Sequence, residues 1–419
     1  MATSKHKNYT YLLLLILAGE AVFILPFVLT RVFRPTVLEV FNLSNLELGT
    51  AQSIYGIVAV FAYLFGGPLA DRYQPRKLIA LALWATALGG IVYGTFPSLF
   101  ILKILYGYWG FTTIFLLWAA MIKATRIWGG ETSQGKAFGF LDGGRGLVGA
   151  LFGLLGVFIF SLFITEAIES ATFTERQNAF KYVIWITSTI VALIGVLAWF
   201  YLKTNADDKQ TILEKITLQD IKKVLNIPSV WLLMIIILCA YVGYKTTGVF
   251  SQYAKEIMLY DDVSSAKVGT FLLFIRPIVG VGIGFLADKT RVTFWLVISF
   301  ILSSFGALLF ATGSVNPNTA SLFFLSILIT ATGIYAARAL YFAAMKEGKI
   351  PLTLTGTAVG LISLIGYTPD IFTGLSIGYL LDNSPGKLGH QHVFLMLSIF
   401  SFIGLIASFI FFKISKNKR

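Results

Sequence analysis

The chain has 419 residues, of which 57% are hydrophobic and 13% are charged, and its net charge is +13. A soluble protein carries about twice that charged fraction, so the composition excludes an ordinary soluble domain. The single cysteine lies inside an apolar stretch, which excludes a disulfide framework and a zinc site built on cysteines. Because the basic residues lie in short loops between apolar stretches, their excess indicates membrane topology rather than nucleic-acid binding.

Twelve apolar stretches are long enough to cross a bilayer, which takes about 20 residues. The first six are predicted over residues 9–33, 46–70, 77–96, 98–125, 135–163 and 178–202. The last six are predicted over residues 229–254, 264–287, 292–313, 318–345, 355–381 and 390–413. We therefore predict an N-terminal six-helix bundle (1–202), a cytoplasmic linker (203–228) and a C-terminal six-helix bundle (229–419).

Loop charge orients these spans. Lysine and arginine gather in the loops of one side, whereas glutamate and aspartate dominate the other side, as at Glu39, Glu47, Asp261 and Asp262. Cytoplasmic loops carry an excess of lysine and arginine, so both termini are predicted to be cytoplasmic, in a bacterial-type inner (plasma) membrane. The linker has partial amphipathic periodicity and is predicted either as a surface helix or as a plain connection.

Helix starts also have a sequence signature. Ser44 and Glu47 have the S-x-x-E spacing of a capping box, in which each side chain accepts a hydrogen bond from a backbone N–H at the start of a helix. This spacing predicts that the second span begins at about residue 45.

Short motifs recur along the chain at a nearly fixed offset. The loop after the second span reads G-x-x-x-D-R-x-x-x-R-K from Gly67, and G-x-x-x-D-K recurs from Gly284, at an offset of 284 − 67 = 217. Three more matches recur in the same order: Ser44 with Ser264 (264 − 44 = 220), Gly135 with Gly356 (356 − 135 = 221) and Ala119 with Ala343 (343 − 119 = 224). Self-similarity at one period predicts a tandem duplication.

The Gly67 motif and its repeat resemble the loop motif between the second and third helices of the major facilitator superfamily of secondary transporters. One departure is Gln74, where that motif has a glycine. The resemblance covers the whole chain. It implies an all-α membrane protein with twelve transmembrane helices in two six-helix repeats, a central cavity opened alternately to each side, and a monomer.

The resemblance also implies gating residues. In that family the loop aspartate, which matches Asp71, forms a latch with a neighbouring helix, and the arginines that match Arg72 and Arg76 take part. The second copy, Asp288, lacks the downstream R-K pair, which weakens its match to a latch. The family cavity is lined by helices one, four, seven and ten.

Charged residues inside the spans point to function, since each costs about 2.5–3.5 kcal/mol at the membrane centre and faces a cavity or a partner. Arg276 lies at the middle of its span, and Lys245 lies well inside its own. Each either pairs with an acid on another helix or faces a cavity and binds an anion. Arg31 either joins them or extends to the membrane surface, and Arg338 is predicted to act in gating or structure.

The acidic residues have different surroundings. Asp142 and Arg145 are spaced i, i+3, which predicts a pair within one helix with a structural or gating role. Glu20 has no cation nearby in its own helix, and an isolated buried carboxylate can bind and release a proton, so Glu20 is the first candidate for proton coupling. Asp370 is the second, because Pro369 breaks the helix beside it.

These features predict a secondary transporter of a small organic anion, coupled to protons or working by exchange, with Arg31, Lys245 and Arg276 as substrate-binding residues. One alternative is a proton-coupled exporter of drugs or other amphiphiles, which the 15% aromatic content favours. Another is a passive channel or a transporter-like receptor. Without a nucleotide loop or a metal-ligand cluster in the sequence, we expect no enzyme activity, no metal and no cofactor.

Overall fold

A computed structural model describes residues 9–129, 134–164, 172–202, 218–345, 347–350 and 355–417 of the protein. All regular secondary structure within these ranges is helical. We number the long helical segments one to twelve in chain order.

The first six segments fall in the N-terminal half of the chain. They are Tyr9–Ala21 continued by Ile24–Val28 and Leu29–Val32, then Asn45–Arg72, Pro75–Tyr93, Leu99–Gly110 continued by Phe111–Trp118 and Ala119–Gly129, Gln134–Leu162 and Phe173–Tyr201.

The other six fall in the C-terminal half. They are Pro228–Thr246 continued by Thr247–Val249 and Phe250–Glu256, then Asp262–Lys289, Val292–Ala311, Ala320–Leu340, Thr355–Gly366 continued by Pro369–Asn383, and Lys387–Asn417. Within the described residues, three short helices lie between the long segments: Arg34–Val40, Leu218–Leu225 and Ala343–Met345.

Each segment matches one of the spans predicted from the sequence. Within the described residues, ten helices are long and apolar enough to cross a membrane, or eleven if Tyr9–Ala21 and Ile24–Val32, which bend by 45°, form one span. The remaining long helix, Asn45–Arg72, has 28 residues. At about 1.5 Å per residue it exceeds the roughly 30 Å of a hydrocarbon core.

Several segments are interrupted where the sequence disfavours a regular helix. Pro26 lies in the π-helical turn Ile24–Val28 of the first segment. The eleventh segment ends at Gly366 and begins again at Pro369, as the proline predicts. Glu20 and Asp370 lie within a few residues of these breaks.

The capping box predicted at the second segment is present. The Glu47 backbone N–H donates to Ser44 Oγ at 3.1 Å, and the Ser44 N–H donates to Glu47 Oε2 at 2.8 Å. The end of the linker is helical over Leu218–Leu225, whereas residues 203–217 lie outside the described part.

The chain divides into two compact units. One comprises Met1–Thr30 and Ile57–Leu213, and the other comprises Arg31–Gly56 and Glu214–Arg419. The end of the first segment and the start of the second therefore belong to the same unit as the C-terminal segments. This grouping brings Arg31 to the residues of the seventh, eighth and tenth segments.

Candidate functional site

Three guanidinium groups lie around the ring of Tyr244 in the second unit. The distance from the guanidinium carbon to the ring centre is 3.7 Å for Arg338, 4.3 Å for Arg31 and 5.8 Å for Arg276. Arg31 also donates from Nη1 to the Tyr244 hydroxyl at 3.0 Å. Since cations are attracted to the electron-rich face of an aromatic ring, Tyr244 gathers positive charge from three segments.

The three arginines come from different parts of the chain. Arg31 lies at the end of the first segment, Arg276 lies beside Pro277 inside the eighth, and Arg338 lies two residues before the end of the tenth. Arg31 and Arg276 are 7% and 4% exposed. Extension of Arg31 to the membrane surface, one of the two alternatives for this residue, is therefore wrong.

Beside Tyr244, the next residue forms an ion pair. Lys245 Nζ lies 2.9 Å from Asp370 Oδ1, and the two side chains are 9% and 8% exposed. The Tyr241 hydroxyl donates to both carboxylate oxygens of Asp370, at 3.2 Å each. Arg338 lies 5.7 Å from the Tyr241 ring, which joins the ion pair to the arginines. We call the group Arg31, Tyr241, Tyr244, Lys245, Arg276, Arg338 and Asp370 the Tyr244 cluster.

The sequence reasoning missed the tyrosines of this cluster. Tyr241, Tyr244 and Lys245 follow the i, i+3, i+4 spacing that places side chains on one helix face. Further tyrosine contacts adjoin this face: the Tyr241 and Tyr367 ring centres are 4.9 Å apart. A polar face within an apolar span was the available signal, and a search for charged residues alone did not detect it.

A second buried ion pair lies in the first unit. Arg145 Nε donates to Glu20 Oε2 at 3.0 Å, and their side chains are 9% and 4% exposed. The prediction that Arg145 pairs with Asp142 in its own helix is therefore wrong, and so is the expectation that Glu20 is isolated. The first segment packs against the fifth, so a partner on another helix replaces the one suggested by spacing.

Aromatic rings surround this ion pair. The Arg145 guanidinium carbon lies 5.3 Å from the ring centre of Phe23 and 5.7 Å from that of Trp118. Phe23 immediately precedes the π-helical turn of the first segment, and Trp118 ends the π-helical stretch of the fourth. Such stretches are frequent at functional sites because they redirect side chains.

The two ion pairs occupy equivalent places in the duplicated sequence. The offset between Glu20 and Lys245 is 245 − 20 = 225, and between Arg145 and Asp370 it is 370 − 145 = 225. Each pair joins the first segment of its repeat to the fifth. The charges are exchanged, since the first repeat has the acid on its first segment and the second repeat has the cation there.

A polar contact fixes the start of the second segment within the second unit. Asp382 Oδ1 accepts a hydrogen bond from the Asn45 backbone N–H at 3.0 Å, and Oδ2 accepts one from the Leu46 N–H at 2.6 Å. Arg34 donates to Asn45 Oδ1 at 3.0 Å and to Gln252 Oε1 at 2.7 Å. The carboxylate of Asp382 thus lies where a helix start favours negative charge.

The predicted latch residues are only partly visible. The side chains of Asp71, Arg72 and Asp288 lie outside the described part of the structure. Arg76 Nε donates to Gln74 Oε1 at 3.1 Å. Among the described residues, no group of three or more histidine, cysteine or acidic side chains could hold a metal ion.

Taken together, the long apolar helices and the buried charges define a multi-pass integral membrane protein. A family model described as Major Facilitator Superfamily matches residues 15–372, which is most of the chain. The protein therefore belongs to the major facilitator superfamily, and it is a secondary transporter rather than an enzyme.

Curated relatives agree with this assignment. The chain is 28% identical over 408 residues to the inner membrane protein YqcE of Escherichia coli K12, covering 94% of this chain and 92% of that protein. It is 26% identical over 427 residues to the inner membrane protein YihN of the same organism, covering 99% and 97%. The nitrate/nitrite transporter NarU, also from E. coli K12, is 26% identical over 303 residues and covers 64% of this chain and 62% of that protein.

Solved structures show the same fold. A bacterial homologue of the lysosomal transporter Spinster, in an inward-facing and occupied conformation, has a TM-score of 0.76 at 16% identity and covers 98% of both chains. The nucleoside transporter NupG has a TM-score of 0.72 at 15% identity and covers 96% of this chain and 99% of that one. This likeness establishes the twelve-helix fold.

Proposed function

We propose that the protein moves a small organic anion across the inner membrane by alternating access, coupled to protons or by exchange. The observation that carries the proposal is the group of three guanidinium groups around Tyr244. Buried cations in membrane helices mark substrate or ion pathways, and the planar guanidinium group matches the geometry of carboxylate and phosphate oxygens. The Tyr244 cluster brings four cations, Arg31, Lys245, Arg276 and Arg338, to one place, and this concentration of positive charge favours an anionic substrate.

One relative supports the choice of an anion. NarU carries nitrate and nitrite according to its name, and it aligns with 64% of this chain. The predicted binding residues Arg31, Lys245 and Arg276 all belong to the Tyr244 cluster, and Arg338 joins them as a fourth. We therefore assign Arg338 to the binding site as well as to gating.

The ion pairs offer a route to proton coupling. The Asp370 carboxylate holds Lys245, so a proton on Asp370 would neutralise the acid and free the ammonium group for the substrate. Glu20 and Arg145 have the same relation in the first repeat. Under this proposal, Asp370 and Glu20 each bind a proton when Lys245 and Arg145 are released to the substrate anion, and each loses it when the ion pair forms again.

The remaining assignments belong to the same proposal. Both termini are cytoplasmic, and the transporter works as a monomer. Gating involves the loop residues Asp71, Arg72, Arg76 and Asp288. It also involves Asp142 and Arg145 of the fifth segment.

The proposal is tested by transport in proteoliposomes. Purified protein is reconstituted, a pH gradient is imposed, and uptake of radiolabelled acetate, succinate, citrate and inorganic phosphate is measured in both gradient directions and in counterflow. We expect concentrative uptake or exchange of at least one anion, and loss of that activity in Arg276→Gln and in Lys245→Gln. Arg291→Gln is the matched control. Arg291 is not part of the Tyr244 cluster, and its Nη2 donates to Ser415 Oγ at 2.7 Å. We expect this variant to keep full activity.

Other outcomes separate the alternatives. A drug exporter would transport cationic or neutral amphiphiles and keep its activity in Arg276→Gln and Lys245→Gln. A channel would equilibrate the anion without concentrating it. Either result would refute the proposal.

A further inference from the structure

Tyr335 has a buried hydroxyl group for which the described residues provide no well-formed hydrogen bond. Its side chain is 1% exposed, and no described group meets hydrogen-bond geometry with its Oη. The Thr247 hydroxyl lies near it but donates to the Tyr244 carbonyl oxygen at 2.6 Å. A buried polar group without a partner costs free energy, so such groups are rare in native structures. The residues that surround the Tyr335 hydroxyl indicate what it can bind.

The surroundings are those of the Tyr244 cluster. Tyr335 lies three residues before Arg338 on the tenth segment, so both side chains fall on the same face of that helix. Its ring centre lies 6.4 Å from that of Tyr244. Its hydroxyl is also close enough to Arg31 and Arg276 to interact electrostatically with both. Tyr335 therefore adjoins the Tyr244 ring, around which the three guanidinium groups gather.

We propose that the Tyr335 hydroxyl donates a hydrogen bond to an oxygen atom of the transported anion. This inference rests on the proposed function, and it narrows the substrate to an oxyanion, such as a carboxylate or a phosphate. Guanidinium groups neutralise the charge of such an anion and bind its oxygens in pairs. The hydroxyl group adds a neutral donor that requires an acceptor, and an oxygen atom of the bound anion accepts its hydrogen bond.

The test uses Tyr335→Phe, which removes only the oxygen atom. Thermal unfolding and calorimetric titration of the purified full chain are carried out with acetate, succinate, citrate, inorganic phosphate and chloride at fixed ionic strength. A hydrogen bond to a charged group corresponds to about a 10- to 100-fold change in affinity. We expect the Kd of the best-bound oxyanion to rise by that factor, while the unliganded variant keeps or gains thermal stability because no hydrogen bond is lost.

Tyr253→Phe is the matched control. Tyr253 is also 1% exposed, but its hydroxyl donates to the Val315 carbonyl oxygen at 2.9 Å. This control should lower the stability of the unliganded protein and leave the Kd unchanged. We thus expect Tyr335→Phe to raise the Kd without lowering the stability of the unliganded protein, and Tyr253→Phe to do the opposite.

Each remaining outcome is decisive. If the parent protein binds one of the oxyanions and Tyr335→Phe binds it within twofold of the parent, the role of Tyr335 is refuted and the anion proposal stands. If unliganded Tyr335→Phe loses stability as Tyr253→Phe does, the hydroxyl has a structural partner and its assignment to the substrate is refuted. If the parent binds none of the oxyanions, the proposed function itself is refuted, and the role of Tyr335 with it.

Discussion

Replacement of Asp370 by asparagine tests whether the ion pair with Lys245 is as buried as its geometry indicates. The two side chains are 8% and 9% exposed, and the charged atoms are 2.9 Å apart. Removal of one partner from a buried pair leaves an uncompensated charge and costs about 3–5 kcal/mol. For a chain of 419 residues, that loss corresponds to a fall of about 3–6 °C in apparent Tm.

The measurement is thermal unfolding of the purified protein in detergent, followed by intrinsic fluorescence. Glu39→Gln is the control, because Glu39 and Lys255 form a longer pair at 3.5 Å whose side chains are partly exposed, 29% and 30%, and Lys255 keeps Asp262 at 2.6 Å. We expect this change to cost about 0–1 kcal/mol, as for a surface pair. The exchanged double variant Lys245→Asp with Asp370→Lys should recover most of the lost stability, because it restores the pair with reversed charges. The reasoning is wrong if Asp370→Asn unfolds at the temperature of the parent protein.

Two further predictions concern the packing of the second segment. Gly49→Ala should lower the apparent Tm, because an added Cβ would collide with the backbone of Gly374. Gly282→Ala is the control and should be neutral, because nothing lies within 4 Å of its added Cβ. Equal melting temperatures of the two variants would contradict this packing. Asp382→Ala should cost about 0.5–2 kcal/mol, as the loss of a helix cap does, because Asn45 loses its acceptor; thermal unfolding measures the loss, and an unchanged melting temperature would exclude the capping role.

The exchanged charges of the two ion pairs have a functional meaning under the proposed mechanism. The first repeat holds its acid on the first segment, at Glu20, and the second repeat holds its acid on the eleventh, at Asp370. A tandem duplication supplies the same helix contact twice, and selection can then exchange the residues while the pair is kept. Under the proposed mechanism, each repeat supplies one carboxylate to bind a proton and one cation that this protonation would release.

The sequence by itself determined the segments and their order. Apolar length located the helices to within a few residues, the S-x-x-E pattern placed the start of the second segment at Asn45, and Pro369 marked the break in the eleventh. These features depend on local chemistry: burial of apolar side chains in lipid, capping of free N–H groups and the missing N–H of proline. The Gly67 motif and its repeat also indicated the major facilitator superfamily.

The sequence also indicated which charged residues lie within the spans, because a charged residue inside an apolar span is easily recognised. Arg31, Lys245 and Arg276 were identified in this way, and all three meet at the Tyr244 cluster. The charged residues alone did not identify Tyr244, whose sequence signal was the polar helix face that it shares with Tyr241 and Lys245.

Only the tertiary structure decided which charge meets which. Arg145 reaches Glu20, 125 residues away in sequence, rather than Asp142 one turn away in its own helix. Arg31 is enclosed by C-terminal segments instead of extending to the surface. Ion pairing depends on which helix faces pack together, and that packing follows from the whole arrangement of segments rather than from the spacing within any one of them.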